Sequence, residues 1–427
     1  MNPRLVTTSQ RWLGGLNFFI SDVRDGLGPF LGVFLMAQGW QADEIGYLMG
    51  AAGMVSILVT APMGALVDGS RRKRALLSVA TVLLLAGSLA LWAFPTPAVT
   101  VTTQILAAVV GALFGPAIMG LTLGLVGPDG LARQLGRNEA WNHAGNVAAA
   151  VFAGMAGYRW GLSAVFALMV LMGLGTLVCL WGIRARDIDH DVARGLAEQP
   201  DVGTPPVPPP STWRVLAGSR DLRLLAVTML LFHLGNAAML PLLGQSIVAH
   251  GQADPSAFTA ATIVVAQLVM IPMALLGGRY AERHGYWALV TAALIALPLR
   301  GAIAVAWPSP WALVPVQVLD GVGAGLLGVA LPGLVAQVLR GSGHVNAGLG
   351  AVMAIQGIGA ALSPALAGWV AHHFGYGMAF TLLGFSAAAG LGVFLLGMAS
   401  RPLVEATATG RSCLLGCSQA FHREAPM

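Results

Sequence analysis

Long apolar runs separated by short polar turns make up most of this chain. Between turn signals the runs lie near 12–37, 44–67, 75–94, 98–126, 139–157 and 162–183, then near 222–249, 257–278, 287–306, 311–338, 346–370 and 377–398. Each approaches the ~20 predominantly apolar residues that carry a helix across a bilayer. The pattern predicts an all-α membrane protein with twelve transmembrane helices in two six-helix bundles. A polar stretch at 184–221, with RARDIDHD and the proline cluster from Pro205 to Pro210, interrupts the series. It reads as a cytoplasmic linker carrying a surface helix. The expected organisation is a first bundle at 1–183, the linker at 184–221, a second bundle at 222–398 and a cytoplasmic tail at 399–427.

Composition narrows the class. Hydrophobic residues are 56% and charged residues 10% of the chain, against ~25% charged in soluble domains, which excludes a globular domain on a single anchor. The 56 glycines suit membrane helices whose backbones approach closely. The first apolar run is too long and too charged for a cleavable signal. Cys179, Cys413 and Cys417 supply neither a disulfide framework nor a metal set. The formal charge of +5 does not point to nucleic acid, because its placement follows topology. With both termini cytoplasmic, 20 of the 23 Lys and Arg fall on the cytoplasmic side, Arg159 is external, and Arg24 and Arg300 lie within spans. That bias matches the positive-inside rule and predicts a multi-pass protein of the plasma (inner) membrane.

The two halves repeat one another. Pro29, Gly32 and Gly39 recur as Pro241, Gly244 and Gly251; Gln41-Ala42-Asp43 recurs as Gln252-Ala253-Asp254; Pro62-Met63 recurs as Pro272-Met273; Gln104 and Gly115 recur as Gln317 and Gly328; and Asp68 matches Glu282. The offset stays between 210 and 214 along half the chain. Two parallel six-helix repeats imply a binding site at their interface, near the bilayer midplane.

Charges inside the membrane mark where chemistry can occur. A charge at mid-membrane costs at least ~2.5–3.5 kcal/mol, so such groups face a bundle interior or a watery cavity. In span one, Asn17, Ser21, Asp22, Arg24 and Asp25 fall within roughly 160° of the helix circumference. Two close carboxylates in low dielectric do not ionise together easily, so Asp22 and Asp25 are candidates for proton coupling. Arg24 is their partner or a contact for an anionic solute. Span five places Glu139, Asn142, His143 and Asn146 within about 100° of one face. Span seven carries His233, a second proton-relay candidate, and Asn236. Asn17, Ser21, Arg24, Asn142, His143, Asn146, Asn236 and Gln356 are the candidate solute contacts. The alternative for the uncharged ones is helix-to-helix hydrogen bonding. Arg300 and Asp320 lie seven to ten residues inside adjacent spans and are expected to form a buried ion pair, structural in the first reading.

The segment Gly64-Ala-Leu-Val-Asp68-Gly-Ser-Arg-Arg72-Lys73 resembles the signature loop of the major facilitator superfamily, G-x-x-x-D-R-x-G-R-K/R. Gly64, Asp68, Arg72 and Lys73 match; Gly69 replaces the arginine and Arg71 the second glycine. The second half keeps the acid, arginine and glycine in Gly278-Arg-Tyr-Ala-Glu282-Arg283-His-Gly285. The resemblance covers nearly the whole chain. It implies a cytoplasmic latch in which the acid bonds an arginine and a helix N-terminus, with Gly64, Asp68, Arg72, Lys73, Glu282 and Arg283 as switch residues. It also implies that spans one, four, seven and ten line a central cavity, with five and eleven close by, where the polar faces of spans one, five and seven would converge. The superfamily's drug-antiporter signature, a Gly-Pro pair in span five, is missing from EAWNHAGNVAAAVFAGMAG.

The expected function is secondary active transport of a small polar or charged organic solute by alternating access, as proton-coupled efflux. Proton-coupled uptake is one alternative, and a non-transporting membrane receptor or scaffold on the same fold is another. Protons, the solute and the bilayer are the expected partners of a monomer. The proton gradient is the expected energy source, with no cofactor. No Walker loop, nucleophile elbow or His-Glu-x-x-His helix is present, so ATP hydrolysis and intramembrane catalysis lack support.

Overall fold

The computed structural model describes residues 3–24, 31, 34–35, 38–40, 42–196, 214, 217–249, 255–307 and 309–399. Its helices are α1 (Pro3–Arg24), α2 (Ala42–Gly69), α3 (Lys73–Ala93), α4 (Pro97–Gly111), α5 (Phe114–Trp160), α6 (Leu162–Gly182), α7 (Arg220–Asn236), α8 (Met239–Ala249), α9 (Pro255–His284), α10 (Trp287–Ala306), α11 (Leu313–Val338), α12 (Val345–Phe374) and α13 (Tyr376–Ala399). No strand occurs among the described residues. Ten runs among them are long and apolar enough to cross a membrane. One run, Pro97–Gly157, is 61 residues long, more than a single crossing needs, and a break at Gly127 divides it into two crossings. The first run of the sequence, 12–37, extends across residues outside the described set.

The division of that long run is local chemistry. Gly127 adopts φ 68° and ψ 177° and is followed by Pro128. A positive φ comes without steric penalty only to glycine, and proline is well placed at the start of a helix because its missing N–H would be unsatisfied there anyway. So α4 and the first part of α5 form span four, and 128–160 form span five. The polar stretch 127–138, expected as a loop, is helical from 128 onward. Leu131, Ala132 and Leu135 place a buried apolar stripe on that turn. Gln134 donates to Asn138 Oδ1 at 2.8 Å and Asn138 donates to Thr122 Oγ1 at 2.8 Å, which ties spans four and five together.

Packing gathers the buried apolar side chains into two large cores and a smaller third one around Leu35, Leu91 and Phe166. One surrounds Leu13, Leu16, Phe114 and Leu121 in the first half. The other surrounds Phe232, Val290, Leu334 and Phe380 in the second and takes in Leu131 and Leu135 across the boundary. Within the first half α1 packs on α5 and α6; within the second α7 packs on α12 and α13, and α11 on α9 and α10. The halves are joined chiefly by α2 with α12 and α5 with α9, and α5 also meets α11 and α12. Large side chains such as Leu58, Phe152, Leu268 and Leu396 are exposed on the outside, as lipid-facing positions should be.

Of the expected linker, Arg214, Ala217 and Gly218 are helical and 197–213 lie outside the described residues; residues 184–196 form a strap of two 3₁₀ turns, Ala185–Asp187 and Val192–Arg194. This strap lies against the ends of both halves: Asp189 N–H donates to the Gly124 carbonyl at 2.9 Å, and Gly341 N–H donates to the Gly195 carbonyl at 2.5 Å.

Candidate functional site

The face that carries Arg71 to Arg74 is closed by a contact between the halves. Helix α12 begins after His344, which provides no side-chain cap. The cap comes from the other half of the chain. Asp68, at the end of α2, accepts from Ala347 N–H at 2.7 Å, from Asn346 N–H at 3.3 Å and from Asn346 Nδ2 at 2.7 Å. A carboxylate at a helix N-terminus meets both unsatisfied amides and the positive end of the helix dipole. Asn346 Nδ2 also donates to the Ala193 carbonyl of the strap at 2.9 Å. Lys73 is buried, and its ammonium donates to the Ser70 carbonyl at 2.8 Å. Arg72 is exposed, and its backbone N–H, rather than its guanidinium, bonds Ser70 Oγ at 3.0 Å.

Glycines let these backbones touch. A Cβ at Gly64 would collide with the backbone of Asn346 and Ala347, and one at Gly350 with that of Thr60 and Ala61. The other inter-half contact repeats this arrangement at an offset of 214. A Cβ at Gly278 would meet the Ala132 carbonyl at 2.8 Å, and one at Gly136 the Ala274 carbonyl at 2.5 Å. Glu282 occupies the place of Asp68, but its partner is a side chain: Arg133 Nε lies 3.2 Å from Glu282 Oε2. The expected acid–arginine bond is therefore made by Arg133 from the opposite half, while Arg283 is exposed in the adjoining groove.

The strap holds the same face. Ser9 Oγ donates to the buried Asp187 at 2.5 Å, and Arg194 donates to Asp191 at 2.7 Å. Burial, with Lys73 and Arg71 nearby, holds the His190 imidazole below its ordinary range; burial, with Arg194, does the same to His344.

Above the Asp68 junction lies a cavity of 680 Å³, lined by α2, α3, α4, α5 and α12. Its polar wall includes Ser56, Thr60, Thr103, Gln104 and Gln356. Thr60 and Thr103 donate to carbonyls of their own helices, whereas Gln356 Oε1 has no hydrogen-bond partner among the described residues. Of the solute contacts expected from sequence, Gln356 is the one in this wall.

The remaining candidates fall into three places. In span one, Asn17 donates to the Leu13 carbonyl at 2.8 Å and Ser21 to the Phe18 carbonyl at 2.8 Å, both within α1. That face packs on α5 so closely that a Cβ at Gly145 would strike Phe18 and Ser21. Asp25 lies outside the described residues, and Asp22 and Arg24 are described only by their backbone.

The second place lies between α7, α10 and α11. Arg300 donates to Asp320 Oδ1 and Asn236 Oδ1, each at 2.6 Å, and approaches Gln317 Oε1 at 3.5 Å. Its side chain is 2% exposed. Asn236 thus belongs to this cluster and not to a common surface with Asn17. His233 Nδ1 bonds the Met229 carbonyl at 2.9 Å on its own helix.

The third place is where α5 meets α9. His143 Nδ1 is 2.8 Å from Gln267 Oε1, and His143 Nε2 is 3.8 Å from Glu139 Oε2. Asn142 is buried and Asn146 half-buried on the same helix. Sequence reasoning did not single out Arg133, Asn346, Ala347, Gln267 or the strap. Only Arg133 carried a signal, an arginine one turn into span five.

Comparison with known proteins follows the same lines. The family model described as Major Facilitator Superfamily matches residues 13–299. An uncharacterized MFS-type transporter of Mycobacterium tuberculosis, in strains CDC 1551 / Oshkosh and H37Rv, is 39% identical over 389 residues, 91% of this chain and 92% of that protein. The crystal structure of the transporter FucP in the outward conformation superposes with a TM-score of 0.68 at 13% identity, covering 92% of this chain and 99% of that one. The human organic anion transporter MFSD10 (TETRAN) superposes with a TM-score of 0.66 at 15% identity, covering 92% and 100%. Family model, full-length relatives and fold agree, and the chain belongs to the major facilitator superfamily of membrane transporters.

Proposed function

We propose that this transporter moves a small polar or charged organic solute out of the cell in exchange for protons, by alternating access, in the inner membrane with both termini cytoplasmic. The observation that carries the reading is the junction of Asp68 with the N-terminus of α12, beside a cavity on its far side. The junction is a discrete contact, made by three hydrogen bonds and backbones in van der Waals touch, so it is either formed or broken. With the basic face cytoplasmic, as the placement of Lys and Arg favours, the formed state closes the cytoplasmic side. Breaking it, together with the Arg133–Glu282 pair, would let the halves part there and close elsewhere. Gln104 and Gln356 offer amide donors and acceptors to a solute in the cavity. The carboxylates and imidazoles inside the spans supply groups able to take up protons, among them Asp22, Asp25 and His233.

Purified protein in proteoliposomes containing a pH-sensitive dye, challenged in turn with organic acids, amines, amino acids and sugars, tests this. The expected result is a solute-dependent movement of protons opposite to that of the solute. Proton movement in the same direction as the solute establishes uptake instead. Solute flux without proton movement removes the coupling, and absence of any flux across the set with folded protein favours a receptor or scaffold role.

A further inference from the structure

The contact between α5 and α9 contains a group of side chains whose surroundings are built half by each bundle. Glu139 and His143 lie one turn apart on α5, with Glu139 Oε2 3.8 Å from His143 Nε2. The opposite half supplies the rest. Gln267 of α9 turns Oε1 to His143 Nδ1 at 2.8 Å, and Gly328 of α11 leaves room for the carboxylate: a Cβ there would meet Glu139 Oε2 at 3.0 Å. Glu139 and His143 stand roughly 16–22 Å of helical rise beyond Pro128, near the middle of the span and immediately above the Gly136–Gly278 contact.

We propose that Glu139 and His143 form the proton-coupling site of this transporter and that Gln267 and Gly328 report to it whether the cytoplasmic side is closed. This rests on the transport reading above and names the residues for its coupling step. An amide oxygen only accepts, so Nδ1 of His143 carries the hydrogen in that bond, and Nε2 is left to face Glu139. A proton entering the site sits between Nε2 and the carboxylate, and the pair becomes a neutral acid beside a neutral imidazole or a carboxylate beside an imidazolium.

With the halves together, Gln267 fixes the tautomer and Gly328 lies against one side of the part-exposed carboxylate. When α9 and α11 withdraw, both restraints leave and the enclosed imidazole meets water as the carboxylate already does. Proton affinity therefore differs between the two states, and by linkage protonation shifts the balance between them. The charged groups of α9 and α11 lie more than two helical turns along their helices from Gln267 and Gly328. Asp320 of α11 is held by Arg300, and the ionisable groups of α9, Arg279, Tyr280, Glu282, Arg283 and His284, sit at its cytoplasmic end. Helix α1 meets α5 through Phe18 and Ser21 at Gly145. On α5 itself Arg137 and Arg133 are the nearest charges in the sequence, and Asp22 of α1 enters the test directly.

The test reads conformation against pH and needs no solute. Spin labels at Ala75→Cys and Arg340→Cys, exposed positions at the cytoplasmic ends of the two halves, report their separation in nanodiscs. The background carries His190→Gln and His344→Gln to remove the titratable imidazoles of the strap. The expected result is a separation that changes between two limits as pH is varied. Glu139→Gln abolishes the change, Glu139→Asp retains it, and Gln267→Leu moves its midpoint without abolishing it. The inference is overturned if Glu139→Gln leaves the midpoint in place while Asp68→Asn or Asp22→Asn removes it, and proton coupling by this chain then survives with a different sensor. A parent protein that shows no response to pH overturns both this inference and the proton coupling on which it rests. Retention of the parent's thermal midpoint by Glu139→Gln separates loss of coupling from loss of fold.

Discussion

Asp68 and Arg300 are both ionisable groups drawn into a membrane protein's interior, and they differ in what surrounds them. Asp68 spans the two halves. Its carboxylate accepts two backbone amides and one side-chain amide from the start of α12. Hydrogen bonds to a charged group contribute about 1.5–3 kcal/mol. Asp68→Asn should therefore weaken the closed state roughly ten- to hundredfold, and the amide of Ala347 should exchange with deuterium faster by a similar factor. Unchanged exchange at Ala347 would show that the cap contributes nothing to closure. Arg300, by contrast, lies wholly within the second half, bonded to Asp320 and Asn236. Removing one member of a buried pair costs ~3–5 kcal/mol because the other charge is left alone. Arg300→Met should lower the thermal midpoint in detergent sharply, and adding Asp320→Leu should restore much of it. If the double variant unfolds no later than the single one, the pair is not the unit that matters.

At the scale of helices, close approach is the device that makes two bundles one closed face. The α5–α9 crossing depends on Gly136 and Gly278 lying backbone to backbone. Gly278→Leu forces that crossing apart, and overpacking of this kind costs ~1–3 kcal/mol. A single cysteine at Leu326, in the adjoining groove, should then react with a membrane-impermeant maleimide from the basic side about tenfold faster. An unchanged rate would mean that the crossing does not govern access. The helices themselves were legible from their apolar runs, because in lipid length and hydropathy decide nearly everything. The departure came at 128–138, where Gly127-Pro128 and several polar residues look like a loop. Leu131, Ala132 and Leu135 nevertheless bury one stripe, and that stripe wins. The site was legible only in part. A helical wheel places Asn17 and Ser21 on a polar face but cannot tell that each bonds its own helix and packs against Gly145. Nor does any local pattern join Asp68 to Asn346, which lie 278 residues apart. The repeat links Asp68 to Glu282, its equivalent, not to its partner.

For the whole molecule, the segment after span six is more than a tether. Asp189 holds it to Gly124 in the first half, while Ala193 and Gly195 hold it to Asn346 and Gly341 in the second. Its own Val192 and Ala193 are buried. A simple tether acts through its length, and doubling a flexible loop costs only ~0.6 kcal/mol. A docked strap acts through contacts that exist only while the face is closed. The two cases separate experimentally. Replacing 189–195 with Gly-Ser repeats of equal length keeps the tether and removes the contacts. Adding ten Gly-Ser residues within 200–212 lengthens the tether and leaves the contacts. If the strap is part of the closure, the first variant exchanges the amides of Gly341, Asn346 and Ala347 faster than the parent, and the second matches the parent. Both should retain the parent's helical content, since neither apolar core is built on the strap beyond Val192 and Ile188. Equal acceleration in the two variants would mean that length alone restrains the halves. Acceleration in neither would leave Asp68 and the paired glycines holding the face by themselves.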